Sequence, residues 1–173
     1  MKNINNEFDI MNLMDEIEYG WMDVKGNKHT ICDERFSDDY ILQSPFEIEE
    51  NKIGVCWDQV ELERFYFDMI GVKTTTYFIV YYDNKDCPTH TFLTFEKNDE
   101  YYWFEHSWQK FKGIHKYFNL EELLLDVKNK FMNYELNNNY VKQNICIYSY
   151  RKPKFHLNVE EFYKHCESGI KIK

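Results

Sequence analysis

The chain contains no alanine, only three prolines and six glycines, and no apolar run long enough to span a membrane. The missing alanine goes with an abundance of Asn and Lys and reads as a compositional bias without functional content. Clustered positive charge is also scarce. The largest basic group is Arg151-Lys152-Pro153-Lys154, and the formal net charge is -9. Nucleic-acid binders neutralise phosphates with basic patches, so that class of partner is disfavoured. Met1 to Glu7 lacks the apolar core of a secretory signal, which sets the expectation of a cytoplasmic protein. No internal repeat and no linker interrupts the 173 residues, so residues 1–173 are expected to form one domain. No cofactor is called for.

Aromatic side chains are plentiful, with 14 Tyr and 14 Phe, and many of these rings must be buried to form a core. Five cysteines occur: Cys32, Cys56, Cys87, Cys146 and Cys166. An odd count without an export signal argues for free thiols. Cys146 lies in an apolar strand pattern, Asn144 to Tyr148, and reads as buried.

The apolar spacing from Phe8 to Tyr19 predicts an amphipathic helix closed by Gly20. Trp21 to Ile31, with Lys25-Gly26-Asn27 at its centre, predicts a β-hairpin. Ser44-Pro45 marks a turn or a helix start. A helix is expected from Cys56 to about Ile70, with Gly71 as its stop. Val72–Tyr82, Thr89–Glu96 and Tyr101–Glu105 predict three strands of an antiparallel meander, joined by the turns Asp83-Asn84-Lys85-Asp86 and Lys97-Asn98-Asp99-Glu100. Asn119 should cap a helix to about Tyr134, followed by a loop at Asn137-Asn138-Asn139. A strand over Asn144–Tyr150, a candidate edge strand, and a helix capped by Asn158 complete an α+β order.

The chemistry concentrates at Cys56, in Gly54-Val55-Cys56-Trp57-Asp58-Gln59 at the start of a helix. Free backbone N–H groups and the positive dipole end stabilise a thiolate there and raise its reactivity. A cysteine nucleophile needs a histidine to take its proton and a third group to orient the ring. If the meander turn pivots between Lys97 and Asn98, His90 and Glu105 become direct cross-strand partners, about 5 Å apart at Cβ. Glu105 could then accept the Nδ1–H of His90 and raise its basicity. His106 is a rival that strand alternation turns to the opposite face. His115, in an expected loop, is a weaker one, and His29, His156 and His165 have no evident partner. The commoner roles of such residues are a small buried thiol and a polar surface pair.

These segments resemble the transglutaminase-like superfamily over Ile53 to about Trp108. There a Gly-x-Cys opens a helix that ends near a Gly, as at Gly71. A His follows at the start of a strand, as in Pro88-Thr89-His90-Thr91-Phe92. An acid completes the set on the next strand, as in Trp103-Phe104-Glu105-His106. The resemblance implies a papain-like cysteine-protease fold, with the central helix packed on an antiparallel sheet. It implies a Cys56–His90–Glu105 triad and acyl transfer through a thioester to water or an amine, with a peptide or protein amide as substrate. It points to the small bacterial branch of the superfamily. The chain departs in Thr91-Phe92, where many members have Ala-Trp, and in Glu105-His106-Ser107-Trp108, where many have Asp before a Pro. The Cys56 N–H would hold the oxyanion with a second donor, for which Trp57, Gln43 and Gln59 are candidates. Two other classes compete: a Cys₂His₂ zinc site from His29-x-x-Cys32 and Cys87-x-x-His90, and a non-catalytic binding or accessory module on the same fold.

Overall fold

A computed structural model describes residues 4–83, 87–136 and 140–172. The turn expected at Asn84-Lys85-Asp86 and the loop at Asn137-Asn138-Asn139 lie outside those residues. Asn6 caps the first helix, α1 (Glu7–Met14), by accepting from the N–H groups of Phe8 and Asp9. The helix stops at Asp15, short of the expected Tyr19. Glu18–Tyr19 instead forms strand β1, which pairs in parallel with β4 (Ile53–Gly54). Tertiary pairing overrides the helical spacing of the sequence.

The Trp21–Ile31 hairpin forms as β2 (Trp21–Met22) and β3 (Lys28–His29), with Gly26 at φ +81° in its turn. A short α2 (Phe36–Asp39) leads to α3 (Pro45–Asn51), opened by a reciprocal capping box between Ser44 and Glu47. The central α4 (Cys56–Met69) ends at Gly71, which adopts the left-handed conformation at φ +71°.

One antiparallel six-stranded sheet carries the rest. Its strands are β5 (Thr74–Tyr81), β6 (Thr89–Lys97), β7 (Glu100–Glu105), β8 (Gly113–Tyr117), β9 (Ile145–Tyr150) and β10 (Ile170–Ile172). They lie in the order β10-β9-β5-β6-β7-β8. Helix α5 (Leu120–Tyr134) and helix α6 (Val159–Glu167) start at Asn119 and Asn158, whose side chains cap them. Two strands were not legible in sequence. β8 puts His115 in a strand rather than the expected loop. β10 covers β9, so β9 is an interior strand and not an edge.

The β6–β7 hairpin corrects the expected register. Asn98 and Asp99 both take positive φ, 55° and 62°, as the central pair of a type I′ turn requires. Lys97 therefore faces Glu100, and Leu93 faces Phe104. His90 and Glu105 are diagonal neighbours instead of direct partners. A register offset of two residues preserves alternation, so they still share a face.

Phe92 and Trp103 pack with Leu123, Val127 and Phe131 of α5, while Leu93, Phe95 and Phe104 pack with Val60, Leu62 and Phe67 of α4. Phe78, Val80 and Tyr150 meet Trp57 and Phe162 in a third cluster. The sheet thus separates α5 from α4 and α6. Every residue of α4 from Cys56 to Arg64 is buried, charged ones included. Arg64 grips Glu61 through two bonds (3.0 and 3.1 Å) and reaches Thr76 of β5; Tyr150 of β9 donates to Glu61 (3.2 Å).

Removing one partner of this buried pair leaves an uncompensated charge. Arg64→Ala is expected to lose about 3–5 kcal/mol in urea denaturation, while the double change Arg64→Met with Glu61→Leu should cost far less.

Candidate active site

Val55 is the N-cap of α4, and Asp58 at the third helical position reaches back to accept the Val55 N–H (3.1 Å). The other Asp58 oxygen accepts from the Tyr40 hydroxyl (3.0 Å) and the Gln43 N–H (2.9 Å). Burial outweighs these bonds and pushes the Asp58 carboxyl up to about 7. Gly54 makes this cap possible, because a Cβ there would meet the Asp58 Cβ at 2.8 Å. The first in-helix bond is Asp58 N–H to Val55 O (3.0 Å), so the amides of Cys56 and Trp57 precede it.

The start of α4 is tied to the start of β6 by Trp57 Nε1, which donates to Thr89 Oγ1 (3.2 Å). That contact sets Cys56, 6% exposed, near enough to His90 for its thiol to raise the imidazole pKa. The His90 Nε2 faces Glu105 Oε2 at 2.7 Å. The nitrogen on the carboxylate is therefore Nε2, not the Nδ1 expected from sequence. The other Glu105 oxygen accepts from Ser107 Oγ (3.0 Å) and the Trp108 N–H (2.7 Å), and the carboxylate is buried. The ring of Trp108 lies 4.9 Å from that of His90. Burial pulls the His90 pKa down, but the Glu105 carboxylate and the Cys56 thiol outweigh it, and it is pushed up to about 10.

Sequence reasoning missed Glu63, on the same face of α4 as Cys56 two turns later. Burial and then the Glu105 charge hold its carboxyl well above the ordinary range, so it keeps its proton. It also missed the role of Ser107 and Trp108, although both directly follow the Glu105 motif.

The other sequence candidates are held elsewhere. Gln43 Nε2 donates to Ile53 O (3.0 Å), and Gln59 Nε2 donates to Gly54 O (2.7 Å). His106 bonds Gln59 Oε1 through Nδ1 (2.7 Å) and meets Asp15 on the α4 side of the sheet. His115 Nε2 pairs with Phe111 O, and His165 Nε2 with Arg151 O. The four residues of the zinc reading do not converge: among the described residues no group of three or more His, Cys, Asp or Glu could hold a metal. His29 instead pairs with Asp23 (3.0 Å) and stacks on Trp21, and Cys87 donates to Asp83 O.

A cleft of about 370 Å³ opens over His90, lined also by Tyr19, Thr89, Ser107, Trp108 and Glu135 among others. No helix among the described residues is long and apolar enough to cross a membrane. No protein-family model matches the chain, and no curated protein shows significant sequence similarity to it.

A free histidine titrates near 6.5, so between there and about 10 the folded chain holds a proton that the unfolded chain has released. This stabilising contribution is full below 6.5 and is lost as pH rises through about 10. Glu105→Gln is expected to bring the His90 titration, read from its ring protons by NMR, back toward 6.5 and to flatten that alkaline loss of stability.

Proposed function

We propose that the protein is a cysteine-dependent acyl-transfer enzyme of the transglutaminase-like type, with a papain-like core and a Cys56–His90–Glu105 triad. The observation that carries this reading is the buried His90–Glu105 pair at 2.7 Å beside a thiol at the start of α4. Structural ion pairs do not require a cysteine at a helix start as third member, nor an open cleft over them.

In this mechanism the Cys56 thiolate attacks the carbonyl carbon of a peptide or protein amide. The S–C bond forms and the carbonyl π pair moves to oxygen. His90, protonated at Nδ1 and oriented through Nε2 by Glu105, gives its proton to the leaving amine as the C–N bond breaks. A thioester remains on Cys56. Water or a second amine attacks it, His90 takes the incoming proton, and the thiolate leaves. Glu105 keeps its orientation throughout, fixed by Ser107 and Trp108.

At about pH 6 an ordinary thiol is almost wholly protonated. Iodoacetamide is expected to label Cys56 ahead of the exposed Cys32 and Cys87, measured by peptide mass mapping. Labelling of Cys56 no faster than these two would leave a non-catalytic module as the better reading. Above about pH 10 His90 loses its proton, so acylation of Cys56 by an amide, whose amine leaving group needs that proton, should fall there while alkylation of Cys56 persists.

A further inference from the structure

The developing oxyanion needs two donors, and the three side chains that sequence offers for the second are already committed. Trp57 Nε1 serves Thr89, Gln43 Nε2 serves Ile53 O, and Gln59 Nε2 serves Gly54 O. Redirecting Gln43 or Gln59 toward substrate would strand a buried carbonyl, at a cost of about 1–3 kcal/mol. The Cys56 N–H therefore lacks a side-chain companion from its own neighbourhood in sequence.

One hydroxyl reaches the site from another part of the chain. The parallel pairing of β1 with β4 sets Tyr19 opposite Gly54, two residues before Cys56. Tyr19 lines the cleft together with His90. The residue is 44% exposed, yet its phenol lies close enough to Cys56 for the thiol to raise its pKa. We propose that Tyr19 is a catalytic residue whose O–H, with the Cys56 N–H, holds the tetrahedral oxyanion. The proposal rests on the acyl-transfer reading above.

The chemistry follows the movement of charge. Before attack the negative charge of the thiolate lies on Cys56 Sγ, close enough to Tyr19 to raise its phenol pKa. As the S–C bond forms, that charge passes to the carbonyl oxygen, two bonds away from the sulfur. The Tyr19 hydroxyl can turn its proton toward that oxygen, whereas the Gln43 and Gln59 amides are already bound to Ile53 O and Gly54 O. Enclosure of the hydroxyl, and then the nearby Cys56, hold the Tyr19 phenol well above its ordinary value of 10, so it remains a donor across the working pH range.

The test uses p-nitrophenyl acetate, whose leaving group departs without a proton from His90, and iodoacetamide, whose displacement at carbon forms no oxyanion. Both are applied to the full chain as wild type, Tyr19→Phe and Cys56→Ala. Wild type is expected to release a burst of about one equivalent of nitrophenolate that Cys56→Ala lacks. Tyr19→Phe should acylate about 10²-fold more slowly, the usual effect of losing one oxyanion donor, while its alkylation rate stays within about threefold. Unchanged acylation in Tyr19→Phe overturns the proposal. So does a parallel change in both reactions, which would mean that Tyr19 acts on the thiol alone. A wild-type chain with no Cys56-dependent burst sinks the acyl-transfer reading itself, an outcome visible before any Tyr19 variant is compared.

Discussion

The whole arrangement depends on one constraint: a helix buried on nearly every side that nonetheless carries Asp58, Gln59, Glu61, Glu63 and Arg64. An interior helix is normally apolar all round, because each buried polar group without a partner destabilises the fold. In α4 most of these groups are answered from a different neighbour. Asp58 binds the loop before α3, Gln59 binds β4 and His106, and Glu61 with Arg64 binds β5 and β9. These bonds specify the rotation and axial position of α4 against the sheet far more sharply than apolar contact alone. Cys56 at its first turn inherits that precision.

Glu105 shows how the same rule shapes the chemistry. A carboxylate has two oxygens, and here the work is divided between them. One oxygen is saturated by the Ser107 hydroxyl and the Trp108 amide; the other is left to His90. The anchoring bonds come from residues directly after Glu105 in sequence, so the turn that ends β7 also fixes its last side chain. Imidazole orientation is thus decided by local backbone geometry, with the tertiary structure supplying only the strand pairing.

Much of this was legible in sequence because it is local. The caps at Asn119 and Asn158, the turn or helix start at Ser44-Pro45, the stop at Gly71 and the period-two strands β5 to β7 each follow from the chemistry of a few adjacent residues. What escaped is non-local. Glu18–Tyr19 reads as the end of a helix until Gly54 is there to pair with it. Gly113–Tyr117 and Ile170–Ile172 are short, half-exposed strands whose patterns carry little apolar signal, and partners define them. The zinc reading failed for the same reason: spacing within each pair was suitable, but nothing in the sequence said that His29 belongs to Asp23. Tyr19 carried no signal at all, since its relation to Cys56 exists only through the β1–β4 pairing.

The two-residue turn at Asn98-Asp99 holds no chemistry, yet it governs whether a site can exist at all. At fixed sequence, a register that leaves an even number of residues in this loop keeps His90 and Glu105 on one face, and one that leaves an odd number sends them to opposite faces. With an even loop, slippage slides Glu105 along the face that His90 occupies, and a carboxylate on a flexible stem can absorb that movement. With an odd loop, His106 would take its position and the imidazole would confront another imidazole. The constraint on this segment is therefore one of parity, joined to the positive φ that both turn residues adopt.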